Sequence, residues 1–168
     1  MLHIVETYGA MLLRSLGQTI LLTLLSLIFA MIVGLIFALM NVGRNRIFNF
    51  IGTLYVDAVR GVPLIVLAYF IYFGIPAGIK SMGIQNFRLT ALSAGTIALA
   101  MNCGAYMAEI IRAGIESVDK GQMEASRSLG LSYGKSMRLV VLPQAIRTMI
   151  PSIINQFIIT LKDTSILS

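Results

Sequence analysis

Long uncharged stretches separated by short charged ones organise this chain. No residue from Ser15 to Gly43 is charged. About 20 apolar residues cross a bilayer, so the pattern predicts a first membrane helix over 16–40. A second apolar stretch, 50–76, is interrupted by Asp57 and Arg60. Three positions apart, these two share a helix face and can pair. Pro63 removes a backbone donor and restricts Val62, so a kink or a helix start is expected there. The run from Gly61 to Ile79 is itself charge-free and long enough to cross. Leu89 to Ala108 is charge-free again and predicts a third span over 89–111. Thr148 to Leu161 is short by itself, but with Leu139 to Arg147 it predicts a fourth over 140–162, with Arg147 near the inner interface. Pro151 kinks that helix unless it falls in the first turn. The fold class expected is an all-α integral membrane protein with about four transmembrane helices in one domain, 1–168. The chain stops inside another apolar start, so a fifth span is expected beyond it.

Within the spans, small residues recur every fourth position. Ala30, Gly34 and Ala38 form one such ridge, and Ala100, Gly104 and Ala108 a second. Ridges of this kind let two helix backbones approach closely. Asn102 lies in the third span, where bonding to a neighbouring helix is favoured over a ligand contact. Glu109 and Arg112 close that span and can pair across one turn. In the fourth span Ser152, Asn155, Gln156 and Asp163 fall near one face, and Ile154, Ile158 and Leu161 on the other. A polar stripe on a membrane helix faces protein or water, not lipid.

Composition agrees with the pattern. The chain is 57% hydrophobic and 12% charged, where a soluble domain carries about 25% charged residues. The net charge of +6 bears on membrane orientation and does not call for nucleic acid. Lys and Arg concentrate between 112 and 147, and Arg44 and Arg46 fall on the same side if the spans alternate. This places the basic loop in the cytoplasm and the N-terminus outside it. Residues 1–14, with Glu6 and Arg14, are too mixed to span and lack the layout of a signal peptide. A single cysteine, Cys103, excludes an internal disulfide and a multi-cysteine metal site. With His3 the only histidine, a membrane-embedded enzyme lacks both a nucleophile–base pair and a metal cluster.

The long water-compatible loop, 116–139, carries the most specific signal. Gln122 to Leu129 reads as a short helix stopped by Gly130, which suits a left-handed residue after the helix end. Ser132 can cap the next helix, which runs on toward Pro143. Met123, Ala125 and Leu129 give this knob an apolar surface, and Glu124 and Arg127 give it charge. The stretch Gly130-Leu-Ser-Tyr-Gly134-Lys135-Ser136 misses a phosphate-binding loop. It has three residues between its glycines where four are needed, and no strand precedes it. No ATPase site is expected in this chain, and no cofactor.

The loop reads Glu124-Ala125-Ser126, three residues, Gly130, nine residues, Val140, one residue, Leu142-Pro143. That spacing resembles the coupling loop of the membrane subunits of ATP-binding-cassette importers, with Ser126 in place of Ala and Val140 in place of Ile. Further stretches resemble the branch that imports polar amino acids of the histidine, glutamine and arginine type. They are Tyr55 to Leu64, Gly104 to Gly114, Lys120 to Ala125, Leu142 to Ala145, Asn155 to Phe157 and Leu161 to Ser165. The resemblance runs from about Gly17 onward; Val62 stands where the family has Thr.

The resemblance implies a multi-pass permease subunit of the cytoplasmic (inner) membrane, working as a homo- or heterodimer with a second permease subunit. Its implied partners are two ATP-binding-cassette ATPase subunits and an extracytoplasmic amino-acid-binding protein. Glu124, Ala125, Leu129 and Gly130 are then the ATPase-coupling residues. Asp163, with Asn155 and Gln156, is the candidate for the substrate path, where a carboxylate can hold an α-ammonium or a basic side chain; alternatively it pairs with Lys162. Arg60 can bind a substrate carboxylate, but pairing with Asp57 is the favoured role. The competing reading is an ion-gradient-driven secondary transporter of small polar solutes, which leaves the loop spacing unexplained.

Overall fold

A computed structural model describes residues 2–43, 45–84 and 86–167, with side chains from 8 to 165 apart from 44 and 85. The expectations resting on His3, Glu6 and Arg44 lie outside the described side chains. Among the described residues the fold is all-α, without a strand. Helix α1 is Leu2–Val42 and α2 is Arg46–Arg60. Helix α3, Leu64–Ser81, contains a π turn at Phe70–Gly74. Helix α4 is Ala91–Glu116 and α5 is Lys120–Ser128. Helix α6 begins at Tyr133–Ser136, passes a π turn at Met137–Val141 and continues as Leu142–Leu167. Four of these are long and apolar enough to cross a membrane: α1 from Tyr8, α3, α4 and α6.

Helix α4 is the hub; α1, α2, α3 and α6 all pack on it. Its small residues explain why. The ridges predicted on α1 and α4 face each other. A Cβ built on Gly104 would meet Val33 Cγ1 at 2.9 Å and the Ala30 carbonyl oxygen at 3.5 Å. Ten positions further along α4, Gly114 admits Met149 and Ala145 of α6. Backbones this close gain van der Waals contact and allow polar cross-links, the forces left to membrane helices once both lipid and side chains are apolar. Among the described residues, three hydrogen bonds join α4 to its neighbours. Tyr55 Oη donates to the Met101 carbonyl at 2.8 Å, Ser26 Oγ to the Thr96 carbonyl at 3.4 Å, and Thr160 Oγ1 to Cys103 Sγ at 3.3 Å. Phe37 stacks on Tyr55, with ring centroids 3.8 Å apart.

The apolar stretch 50–76 is divided between two helices. Helix α2 stops at Gly61, and Pro63 precedes the first turn of α3. This is the helix start that Pro63 predicts: the ring blocks continuation from the preceding turn and leaves no unsatisfied donor at the new start. Each π turn ends two residues before a proline, Pro76 in α3 and Pro143 in α6. A proline ring clashes with the carbonyl four residues back, here Tyr72 and Leu139, and both carbonyls lie inside the π turns. Pro151 lies inside α6, not in its first turn.

Candidate functional site

Two regions concentrate polar chemistry. The first is a cavity of about 420 Å³ where α2, α4 and α6 meet. Its wall is built from Arg60 at the end of α2, the Gly61 to Leu64 break, Asn102 and Tyr106 of α4, and Gln156, Ile159 and Asp163 of α6. Spacings of four on α4, and of three then four on α6, put these side chains on one face of each helix. Asn102 and Gln156 are buried, at 7% and 5% relative exposure; Asp163 is half-buried. The cavity therefore offers one carboxylate, one guanidinium and two amides in apolar surroundings. Such a set can hold a zwitterion, with an ammonium on Asp163 and a carboxylate on Arg60.

The predicted substrate-path residues thus separate. Arg60, Gln156 and Asp163 share this wall, whereas Asn155 is exposed and outside it. Adjacent helical positions point about 100° apart, so one of the two amides must turn away. Asn102, favoured above as a helix-bonding residue, lies on the cavity wall. Tyr106 was not singled out by sequence; its place one helical turn after Asn102 was the available signal. Val62 also lines the wall, so the hydroxyl missing relative to the family pattern is missing from the cavity itself.

Arg60 pairs differently from expectation. Its Nη1 lies 3.9 Å from Glu109 Oε2, and its guanidinium carbon stands 5.2 Å from the Tyr106 ring centroid. Among the described residues no ion pair joins it to Asp57, nor Asp163 to Lys162. Glu109 is gripped by Arg112 through Nε at 3.1 Å and Nη2 at 2.6 Å, and Arg112 Nη1 also reaches Glu116 Oε2. The Glu109–Arg112 pair is the one read from their spacing.

The second region is the knob. Asp119 Oδ1 accepts from Gly121 N at 2.7 Å and starts α5. Gly130 has φ +89°, its N–H donates to the Arg127 carbonyl at 2.9 Å, and Leu131 N–H donates to the Ser126 carbonyl at 3.2 Å. That bond pair closes a helix end with a left-handed glycine. Ser132 occupies the capping position of α6 without a side-chain cap bond. Ser126, where the family pattern has Ala, is buried and returns its hydroxyl to the Met123 carbonyl at 2.9 Å, so the extra oxygen is satisfied inside the helix. Glu124, Ala125 and Gly130 are exposed, and Leu129 is 85% exposed. Gln122 and Gln144, 3.4 Å apart, tie the knob to α6.

Fold and site together define a helical, multi-pass membrane protein with a polar cavity open to the surface and a capped surface knob on the loop before its last helix. Residues 30–168 match the binding-protein-dependent transport system inner membrane component family. The chain is 39% identical over 150 residues to a probable glutamine ABC transporter permease protein, GlnM, of Bacillus subtilis (strain 168), covering 89% of this chain and 66% of that one. It is 43% identical to the L-cystine transport system permease protein TcyB of the same organism, over 89% of this chain and 61% of that one. It is 36% identical to the arginine transport system permease protein ArtQ, again of that organism, over 93% and 68%. The chain thus spans about two thirds of the length of these curated relatives. A crystal structure of an amino acid ABC transporter with histidines matches with a TM-score of 0.88 and 38% identity, over 99% of this chain and 74% of that one. The chain belongs to the binding-protein-dependent transport system inner membrane component family. These likenesses lend no support to an ion-gradient-driven transporter.

Proposed function

We propose that this chain is the membrane subunit of an ATP-driven importer that passes a polar or charged amino acid through the membrane. The observation that carries the reading is the knob. It is a capped helix with a glycine stop, it carries Glu124, Ala125 and Leu129 toward solvent, and it is fastened to the helix that bears Gln156 and Asp163. A rigid body of this kind can pass a partner's movement to the cavity wall; a flexible loop cannot. The partners are two ATP-binding-cassette ATPase subunits docked at the coupling loops of a permease dimer, with Glu124, Ala125, Leu129 and Gly130 carrying this chain's contact. A second permease subunit and an extracytoplasmic amino-acid-binding protein complete the complex. The chain itself hydrolyses no ATP. Its N-terminus lies outside the cytoplasm, and the ends of α1 and α4 lie with the knob on the cytoplasmic side. Val42, Ile115 and Met123 line one common cavity, so these helix ends lie on the knob's side; the Lys and Arg of the loop support that side being the cytoplasmic one. Asp163, Gln156 and Arg60 form the substrate path; Asn155 stands at its margin.

The test is ATP hydrolysis in liposomes holding the protein with its ATPase, its candidate binding protein and each of the twenty amino acids in turn. Stimulation by one or a few polar amino acids is expected. No stimulation by any of them overturns the reading.

A further inference from the structure

Arg60 faces two cavities. It lines the one that holds Asp163, and also a second of about 310 Å³ bounded by Glu109, Arg112 and Glu116. Glu109, Arg112 and Glu116 lie three and four positions apart, so they form one charged face along the end of α4. The carboxylate of Glu109 is shared unevenly. Arg112 holds both of its oxygens at hydrogen-bond distance, while Arg60 reaches only one of them, at 3.9 Å. That separation is beyond a hydrogen bond and at the limit of an ion pair. The guanidinium of Arg60 is thus steered by Glu109 from one side and by the Tyr106 ring from another, with donors left unused. A cation held this loosely can meet an incoming carboxylate without first breaking a short ion pair.

Resting on the importer reading, we propose that Glu109 is a positioning residue: it acts through Arg60, holding that guanidinium at the cavity wall so that it receives the α-carboxylate of the transported amino acid. Arg112 holds Glu109 in place through both of its oxygens, and so keeps Arg60 from being captured outright. Glu116 supports Arg112 and has no direct part.

The experiment is equilibrium binding to the purified nucleotide-free complex. The probes are the amino acid that stimulates its ATPase and the α-carboxamide of that amino acid, which keeps the ammonium and lacks the carboxylate charge. Arg60→Gln is expected to weaken amino-acid binding about tenfold or more, as for a lost charge-assisted bond. Glu109→Gln is expected to weaken it roughly three- to fivefold, the range of a part-exposed ion pair. Glu109→Gln in the Arg60→Gln background is expected to add nothing, and Glu109→Asp to restore part of the loss. The carboxamide is expected to bind every variant alike. Equal weakening by Glu109→Gln in both Arg60 backgrounds, or for the carboxamide as well, overturns the positioning role. If no amino acid stimulates the unmodified complex, the importer reading fails first and the inference falls with it.

Discussion

Gly34 of α1 lies against Gly104 of α4 so closely that a Cβ on Gly34 would stand 3.1 Å from the Gly104 carbonyl oxygen. The same Cβ would stand 2.6 Å from Met107 Cβ, an atom that cannot rotate away. Gly34→Ala therefore has to separate α1 from the hub. The expected cost is about 1–3 kcal/mol, as for other overpacked sites. Gly78 in α3 is the control, because a Cβ there meets nothing within 4 Å. Gly78→Ala is expected to be neutral or to stabilise by up to about 1 kcal/mol, from helix propensity alone. Thermal unfolding of the detergent-solubilised variants measures both; equal Tm values would contradict the seam.

That seam was legible in the sequence because an every-fourth spacing of Ala30, Gly34 and Ala38 is a property of one helix face. The Pro63 helix start and the Gly130 stop were legible for a similar reason, since each depends on the conformational limits of one residue. Arg60 was not legible in the same way. Asp57 is its neighbour in sequence, but the partner found, Glu109, lies 49 positions on and becomes a neighbour only when α2 packs on α4. Asn155 and Gln156 were grouped because a stripe read over several turns blurs single positions; packing put one in the cavity wall and left the other outside. The π turns escaped because one extra residue in a turn hardly disturbs an apolar pattern averaged over a whole span.

Gly130 has open space around it, so its substitution tests conformation alone. At φ +89° a β-branched side chain is strained. Gly130→Val is expected to cost the knob about 1–3 kcal/mol of local stability, while Gly130→Asn, which tolerates left-handed backbone, is expected to cost less. If the knob docks the ATPase, Gly130→Val loses most amino-acid-stimulated ATP hydrolysis and Gly130→Asn keeps most of it. Both proteins should still insert, because nothing in the spans changes. Normal stimulation with Gly130→Val would remove the docking role.

The cavity separates the polar residues of α6 into two groups with different expected effects. Asp163→Asn removes the one carboxylate on the cavity wall. It is expected to weaken amino-acid binding at least about tenfold, the scale of a charged hydrogen bond. Asn155→Ala changes an exposed position beside the wall and is expected to stay within about twofold, as for surface substitutions. Equilibrium binding to the purified complex distinguishes them. A large effect at Asn155 with none at Asp163 would mean that the substrate path uses the other face of α6.

Pro143 links the knob to the last span through the π turn it imposes. With Pro143→Ala the clash with the Leu139 carbonyl disappears, and the turn at Met137–Val141 is free to revert to α-helix. Removing one residue's worth of excess from a turn rotates everything before it by about 100° relative to α6. Gln122 then swings away from Gln144, which it meets at 3.4 Å. The check uses Gln122→Cys with Gln144→Cys in a Cys103→Ser background and a short bifunctional thiol reagent. Efficient cross-linking is expected with Pro143 present and a several-fold fall with Pro143→Ala. Cross-linking that is unchanged would mean that the π turn is set by the packing of Val141 and Ser136 in the interior, not by the proline.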